Sequence, residues 1–459
     1  MNRSTTAMVA EDPPYIRHEK IYPREIGGRF ATLRRLAVLA LLGLYYALPW
    51  VDFRGRQAVL FDLPSRKFYL FGVVLWPQDF IFLTWLLVMA GLSLFFFTAL
   101  AGRLWCGFAC PQTVWTELFV WIERFVEGDR ARQIKRDRGP WTADKIVRKT
   151  VKQTLWVALA LWTGLTFVGF FSPIRTLVLQ PFSGELAGWA LFWTLFYGFA
   201  TYGNAGFLRE QVCKYMCPYA RFQSAMFDRG SLVITYDSVR GEPRGPHARG
   251  VDPRTIGQGD CVDCTLCVQV CPTGIDIRNG LQYECIACAA CVDACDSVMD
   301  RVARPRGLVR FTSLAALEGR PTRVLRPRIL VYGGLLAGIA LTGLVGLIMR
   351  PLVAVDVIRD RNVLYRSTPG GVENVYNLKI LNKDERPHRF TVSVTGLPGL
   401  TLDDGGRPIS VDGGEVRSVP LRVVAAGPSV SGNHPIRFSV ADTAEPTRVA
   451  TERSRFIAP

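Results

Sequence analysis

Residue pattern predicts a three-part integral membrane protein: a core of five transmembrane helices, a cysteine-rich insert between the fourth and fifth, and a C-terminal antiparallel β domain. Three observations carry this. Five long runs are almost free of charge, all twelve cysteines fall between positions 106 and 295, and residues 351–459 divide into short strand-like stretches. At 459 residues the chain has length for about three folded units. Lys and Arg (55) outnumber Asp and Glu (39) to give +16, while a hydrophobic share of 49% lifts the mean hydropathy to +0.17. Such apolarity excludes a disordered chain.

The apolar runs are 36–50, 80–101, 155–171, 186–202 and 329–348. At 1.5 Å rise per residue most of them match a hydrocarbon layer of about 30 Å. The first is the shortest, but Arg34 and Arg35 before it, with Tyr45, Tyr46 and Trp50 near its end, favour a span over a buried core helix. A long polar lead and no small-residue pattern after Trp50 argue against a cleavable signal peptide. Segments 1–35, 102–150 and 205–327 hold 33 Lys and Arg, whereas 52–78 and 172–185 hold 5. The positive-inside rule therefore places the amino terminus and both long connections in the cytoplasm. Five crossings leave the carboxy terminus outside, in the periplasm of a bacterium with two membranes. The expected divisions are a cytoplasmic segment 1–35, a membrane core 36–230 with the first four helices, a cytoplasmic insert 231–327, a fifth helix 328–350 and a periplasmic domain 351–459.

In that last domain, 376–381, 390–394, 416–424 and 436–440 alternate or run with β-branched residues, between the turn-forming clusters 403–408 and 412–415. Short strands at this spacing predict an immunoglobulin-like β-sandwich. It has no cysteine, so neither a disulfide nor thiolate chemistry belongs to it.

Eight cysteines form two copies of one pattern, Cys261-x2-Cys264-x2-Cys267-x3-Cys271-Pro272 and Cys285-x2-Cys288-x2-Cys291-x3-Cys295. This is the two-cluster ferredoxin arrangement, in which the fourth cysteine of each run ligates the other cluster. Cys261, Cys264, Cys267 and Cys295 are thus assigned to one 4Fe-4S cluster, and Cys271, Cys285, Cys288 and Cys291 to its partner. Four thiols within eleven residues do not suit a single tetrahedral zinc, which takes paired C-x2-C motifs across a longer loop. Cytoplasmic placement excludes disulfides. Asp296 follows the last ligand where Pro272 follows its counterpart, adding a carboxylate that disfavours the reduced cluster.

The other four are Cys106-x3-Cys110-Pro111 after the second run and Cys213-x3-Cys217-Pro218 after the fourth. If helical, each pair places two thiols one turn apart on one face. Proline after the second Cys is expected to end or kink the helix and free carbonyls near the thiols. Together the pairs offer four soft ligands to one shared site, either a further Fe-S centre or copper with Met216 nearby. The alternative is four small buried hydrophobes. Other candidates are weak: histidines 18, 247, 388 and 434 repeat at no ligand spacing, and His388 and His434 read as ordinary surface residues. The charged stretch 123–149 reads as a solvated connection against anionic lipid, and because its charges concentrate where membrane topology requires them, a nucleic-acid partner is disfavoured.

The Trp105-Cys106-Gly-Phe-Ala-Cys110-Pro111-Gln112 and Cys213-Lys-Tyr-Met-Cys217-Pro218-Tyr219-Ala220-Arg221-Phe222 motifs, the double ferredoxin run and Asn374-Val-Tyr-Asn-Leu-Lys-Ile-Leu-Asn-Lys383 in the exported domain resemble the CcoG (FixG, RdxA) family of cytochrome c oxidase accessory proteins. The resemblance implies reduction of Cu(II) to Cu(I) for assembly of a cbb-type oxidase. Its implied partners are copper ions, copper chaperones and transporters, and oxidase assembly factors. Cys106, Cys110, Cys213 and Cys217 are then the candidates for binding copper or relaying electrons to it. The alternative resemblance is to quinol-oxidising membrane Fe-S subunits that feed a periplasmic reductase and also carry C-x3-C-P pairs. The electron donor, the face that presents copper, the ligand of the exported domain and a homodimer are left open.

Overall fold

A computed structural model of the chain describes residues 20–183, 188–246, 255, 257–321, 323–360, 363–368, 371–403, 406–426 and 431–459. His18 and His247 lie outside them. Among the described residues four helices are long and apolar enough to cross a membrane: Arg29–Trp50, Pro77–Ala101, Ala143–Val168 and Pro327–Ile348. None of the most apolar window of Pro77–Ala101 is buried against protein. Ile81, Leu87 and Ile348 are open to the surroundings, as side chains meeting lipid are.

The fourth run departs from the expected long helix. Its α-helix, Gly188–Thr201, has 14 residues and continues into the π-helical segment Tyr202–Leu208. Widening to five-residue hydrogen bonds, such as Arg209 N–H to the Asn204 carbonyl at 2.8 Å, turns carbonyls outward. The Gln112 amide collects those of Asn204 and Arg209 at 2.9 and 3.0 Å.

The chain divides into two units. The first comprises Met1–Tyr46, Ser93–Leu165 and Ala187–Gly333, the second Ala47–Leu92, Thr166–Leu186 and Gly334–Pro459. The chain therefore passes from one unit to the other five times, at or beside each apolar run.

Within the first unit, the described residues of 231–312 fold around the cysteine repeats. Strands Val233–Tyr236 and Val309–Thr312 pair antiparallel, and the short helix Leu266–Gln269 packs on Ala290–Arg301. Ile234, Ile277, Met299 and Leu308 fill the interior. The N-terminal segment is built into this unit. Asp293 accepts hydrogen bonds from Phe30 N–H (3.2 Å) and Ala31 N–H (2.7 Å), satisfying first-turn donors of the helix Arg29–Ala47.

Within the second unit, the described residues of 353–458 form the expected sandwich, and every strand pair among them is antiparallel. One sheet runs in the order Leu400–Leu402, Val416–Ala426, Gly371–Asn382, Val353–Arg359, with Arg366–Thr368 also on Gly371–Asn382. The other runs Ile409–Val411, His388–Thr395, Gly432–Asp442, Val449–Ala458. Tyr376, Phe390, Phe438 and Phe456 fill the space between them. Asn374 is pinned there too: its amide donates to the Ile457 carbonyl (2.7 Å) and accepts from the Ile457 N–H (3.2 Å). Connection 52–78 packs on this sandwich through Val74, Trp76 and Leu381. Buried Asp79 bonds Lys383 at 2.8 Å.

Candidate functional site

The two cysteine repeats have the same backbone. Asp263 and Ala287 take φ of 51° and 54°, and Thr265 and Ala289 take 55° and 59°. These are left-handed conformations of non-glycine residues at corresponding places in the two copies. Such turns point successive N–H groups inward around an anionic occupant. Two pockets result, of about 370 and 330 Å³ counting all space between atoms. Cys261, Cys264, Cys267 and Cys295 line the first, with Tyr236, Met299 and Leu308. Cys271, Cys285, Cys288 and Cys291 line the second, with Ile234, Ile277 and the rim of Cys267. Each pocket thus gathers three thiols from one repeat and the fourth from the other, the donor set of one cubane. Burial pushes the Cys285 and Cys295 thiols up to about 12 and Cys267 up to about 11. Free, they keep their protons at neutral pH; binding a metal is what removes them. The residues present fit a 4Fe-4S group in each pocket.

The C-x3-C-P pairs converge as well, but by a different local structure than expected. Cys106 lies in the five-residue helix Leu104–Phe108, and Cys213 in the π-helical Val212–Met216. Proline does not merely end these helices. Pro111 and Pro218 open new ones, Pro111–Glu127 and Pro218–Met226, with Cys110 and Cys217 as the capping residues. Proline suits that first position because it lacks only an N–H that the helix does not use. Cys110 and Cys217 therefore sit at helix N-termini, where N–H groups rather than carbonyls are left free. Burial raises the pKa of Cys110, and the N–H groups of Thr113 and Gln112 oppose that rise without closing a side-chain cap. Burial also pushes Cys106 and Cys213 up to about 12, and negative charge on either is opposed by Cys110 and Cys217. Met216 is 59% exposed and does not join these half-buried thiols.

This second thiol group abuts the second pocket. Cys106 and Cys213 pack in one apolar cluster with Cys288 and Cys291. Gly107 sits so close that a Cβ there would lie 2.7 Å from the Ala287 carbonyl oxygen, so only glycine fits. Arg103, 5% exposed, donates to the carbonyls of Tyr283 and Cys285 (3.2 Å) on the pocket loop and of Ala220 (2.6 Å) after Cys217. Arg34 donates to the Cys288 carbonyl at 3.1 Å. A cleft of about 980 Å³, open to solvent, borders both groups through Cys213 and Cys288 and carries Arg34, Arg209, Glu117 and Glu210.

The stretch 123–149 is solvated in part only: Arg132, Lys135, Arg138, Asp144 and Arg148 are exposed, but three of its charges are not. Glu123, Glu127 and Lys145 are buried; Glu127 pairs with Lys149 and Lys152, and Lys145 donates to the carbonyls of Asp137 and Gly139. Arg209, Lys20 and Lys152 reach Glu123 at 2.7, 2.9 and 3.3 Å. Burial pushes the Glu123 carboxyl up, and these three cations more than offset it, holding it down at about 2. His388 is likewise no ordinary surface residue: it lies between Asp442 (2.6 Å) and Asp384 (3.2 Å), because the turn and strand that carry those carboxylates fold over it. Asp296 accepts from the Gly307 N–H at 2.9 Å, which ties down its carboxylate. Sequence reasoning passed over Arg103, Asp293 and Gln223, and took Arg34 only as a basic flank of the first apolar run. Lone polar residues beside apolar runs carried no periodicity, and only the position of Arg103 three residues before Cys106 hinted at a role.

Comparison with known proteins agrees with these parts. Residues 208–314 match a "4Fe-4S dicluster domain" family, 81–127 a "4Fe-4S binding domain" and 343–459 the "IG-like fold at C-terminal of FixG". The chain is 39% identical to the nitrogen fixation protein FixG of Rhizobium meliloti (strain 1021), covering 91% of this chain and 88% of that one. It is 41% identical to protein RdxA of Cereibacter sphaeroides, covering 91% and 89%. The ferredoxin-type protein NapH of Escherichia coli (strain K12) matches at 24%, over 53% of this chain and 86% of its own.

Proposed function

Because the chain belongs to the FixG/RdxA family, we propose that it is a membrane-bound electron-transfer protein that reduces Cu(II) to Cu(I) for assembly of a cbb-type cytochrome c oxidase. The observation that carries the electron-transfer reading is the crosswise lining of the two pockets. Cys261, Cys264, Cys267 and Cys295 hold one 4Fe-4S cluster; Cys271, Cys285, Cys288 and Cys291 hold the other. When bound, the clusters supply reversible one-electron storage. Ile234, Ile277, Met299 and Leu308 back the pockets on the protein side, leaving Cys264 exposed at the edge of the first, and Arg34 and Arg103 fix the carbonyls of the second loop. Cu(II) takes up one electron and leaves as Cu(I), the form that soft thiolate and thioether carriers hold. Copper chaperones, transporters and oxidase assembly factors then receive it.

The ferredoxin-type unit lies in the cytoplasm and the β-sandwich in the periplasm. Support comes from the 33-to-5 charge asymmetry and from the five passages between units, with connection 52–78 packed on the sandwich it should accompany. The 14-residue helix Gly188–Thr201 with its π-helical extension makes the fourth crossing. The test uses anaerobically purified protein, reduced and freed of reductant. Added Cu(II) should appear as Cu(I) on a Cu(I)-specific chelator, mole for mole with loss of the reduced-cluster EPR signal. Clusters that stay reduced in the presence of Cu(II) sink the cupric step.

One observation favours a second reading, a quinol-oxidising subunit. The cleft beside Cys213 and Cys288 includes Ala31, Arg34 and Arg35 from the first turns of a candidate span, where a lipid-soluble donor arrives. Cluster reduction by a quinol without any reaction with Cu(II) would select it.

A further inference from the structure

The four thiols of the C-x3-C-P pairs lie among buried hydrogen-bond donors that lack acceptors. Gln223 is fully buried; its Oε1 accepts from the Cys106 thiol at 3.7 Å, and its Nε2 has no hydrogen-bond partner among the described residues. Arg103 is 5% exposed; both terminal nitrogens are bonded to carbonyls, and its Nε has no partner among the described residues. A buried N–H without an acceptor is rare, and two beside one group of thiols point to an occupant that accepts. Two helices, of 17 and 9 residues, also begin at Cys110 and Cys217 and direct the positive ends of their dipoles at the same place.

We propose that Cys106, Cys110, Cys213 and Cys217 together hold a third 4Fe-4S cluster, with Arg103 and Gln223 donating hydrogen bonds to its sulfurs. The chemistry of the surroundings selects this over copper. A cluster bound by four thiolates is anionic, and its sulfides and thiolates accept N–H groups, which also tune its potential. A copper ion accepts none and is repelled by the Arg103 guanidinium. Contact with the second pocket then gives the cluster a role. Cys106 and Cys213 pack against Cys288 and Cys291, and Arg103 bonds the carbonyl of Cys285 on one side and of Ala220 on the other. A cluster held by these four thiols would take one electron from a reduced cluster in the second pocket and give one to Cu(II), which would leave as Cu(I). The route rests on the reductase reading; the ligand set does not.

The experiment is iron and acid-labile sulfide analysis of the full-length protein purified anaerobically in detergent. About twelve of each per chain are expected, against about eight for the two ferredoxin-type clusters alone. The double variant Cys106→Ser, Cys213→Ser should lose about a third of its iron while the EPR signals of the other two clusters persist. Gln223→Leu and Arg103→Met should keep all the iron yet lower the midpoint potential of one signal, and Arg103→Lys should restore part of that shift. About eight irons in the wild-type protein, or variants that move no potential, overturn the proposal. The wild-type count stands even where the double variant does not fold. Twelve irons with no reaction toward Cu(II) would instead remove the reductase reading and leave the third cluster in place.

Discussion

Glu123→Gln is the substitution whose effect is most closely set by geometry. The carboxylate, 3% exposed, joins Arg209, Lys20 and Lys152. It therefore ties the helix that starts after Cys110 to the residue four places before Cys213. Its pKa lies at about 2 against an ordinary 4.5. That difference corresponds to about 3 kcal/mol of native-state stability, similar to the cost of breaking other buried pairs. The folded-state value lies below the unfolded one, so the contribution is complete above pH 4.5 and is lost as pH falls toward 2. About half should be gone by pH 3. Thermal unfolding of the detergent-solubilised protein should show the variant melting lower by on the order of 5 °C at pH 7, and the gap should narrow steadily between pH 5 and pH 3. A gap absent at neutral pH, or one of constant size down to pH 3, would refute the argument that the cations stabilise this carboxylate.

Cys295→Ala should reproduce the EPR spectrum of Cys261→Ala and leave the cluster that Cys285→Ala destroys; the reverse pairing would mean that each repeat serves its own cluster. Asp293→Ala removes the acceptor for two N–H groups at the start of Arg29–Ala47 and should cost about 1–2 kcal/mol. Faster hydrogen exchange at Phe30 and Ala31 would report it, and unchanged exchange would contradict it. Gly107→Ala should force the Ile286–Ala287 carbonyls away and lower iron content, with folding of the β-sandwich unaffected by protease mapping. Asp79→Ala leaves Lys383 buried without its partner and should destabilise the second unit by about 3–5 kcal/mol, read as faster proteolysis within 351–459. The double variant with Lys383→Met should recover much of that loss.

Much of the architecture was legible before any coordinates because its signals are local. A run such as 80–101 cannot be solvated wherever the chain goes, and two repeats 24 residues apart imply paired pockets because the ligand rule is built into the spacing. The strands of the sandwich announced themselves by alternation between turn clusters. Less legible was the fourth run. Its apolar content suggested one long helix, but Gln112 and Glu123, about ninety residues away, hold the chain in widened turns.

By itself the sequence determined which segments are apolar, which cysteines belong to which repeat and where the β domain begins. Tertiary structure alone decided that Glu123 is an internal anchor rather than a solvated charge. It alone revealed that Pro111 and Pro218 start helices aimed at the thiols, and that Arg103 and Gln223 complete their surroundings. The reason is the range of the forces involved. Apolar periodicity and ligand spacing act over a few residues, whereas the burial of a charge or an N–H depends on partners brought from 80 to 180 positions away.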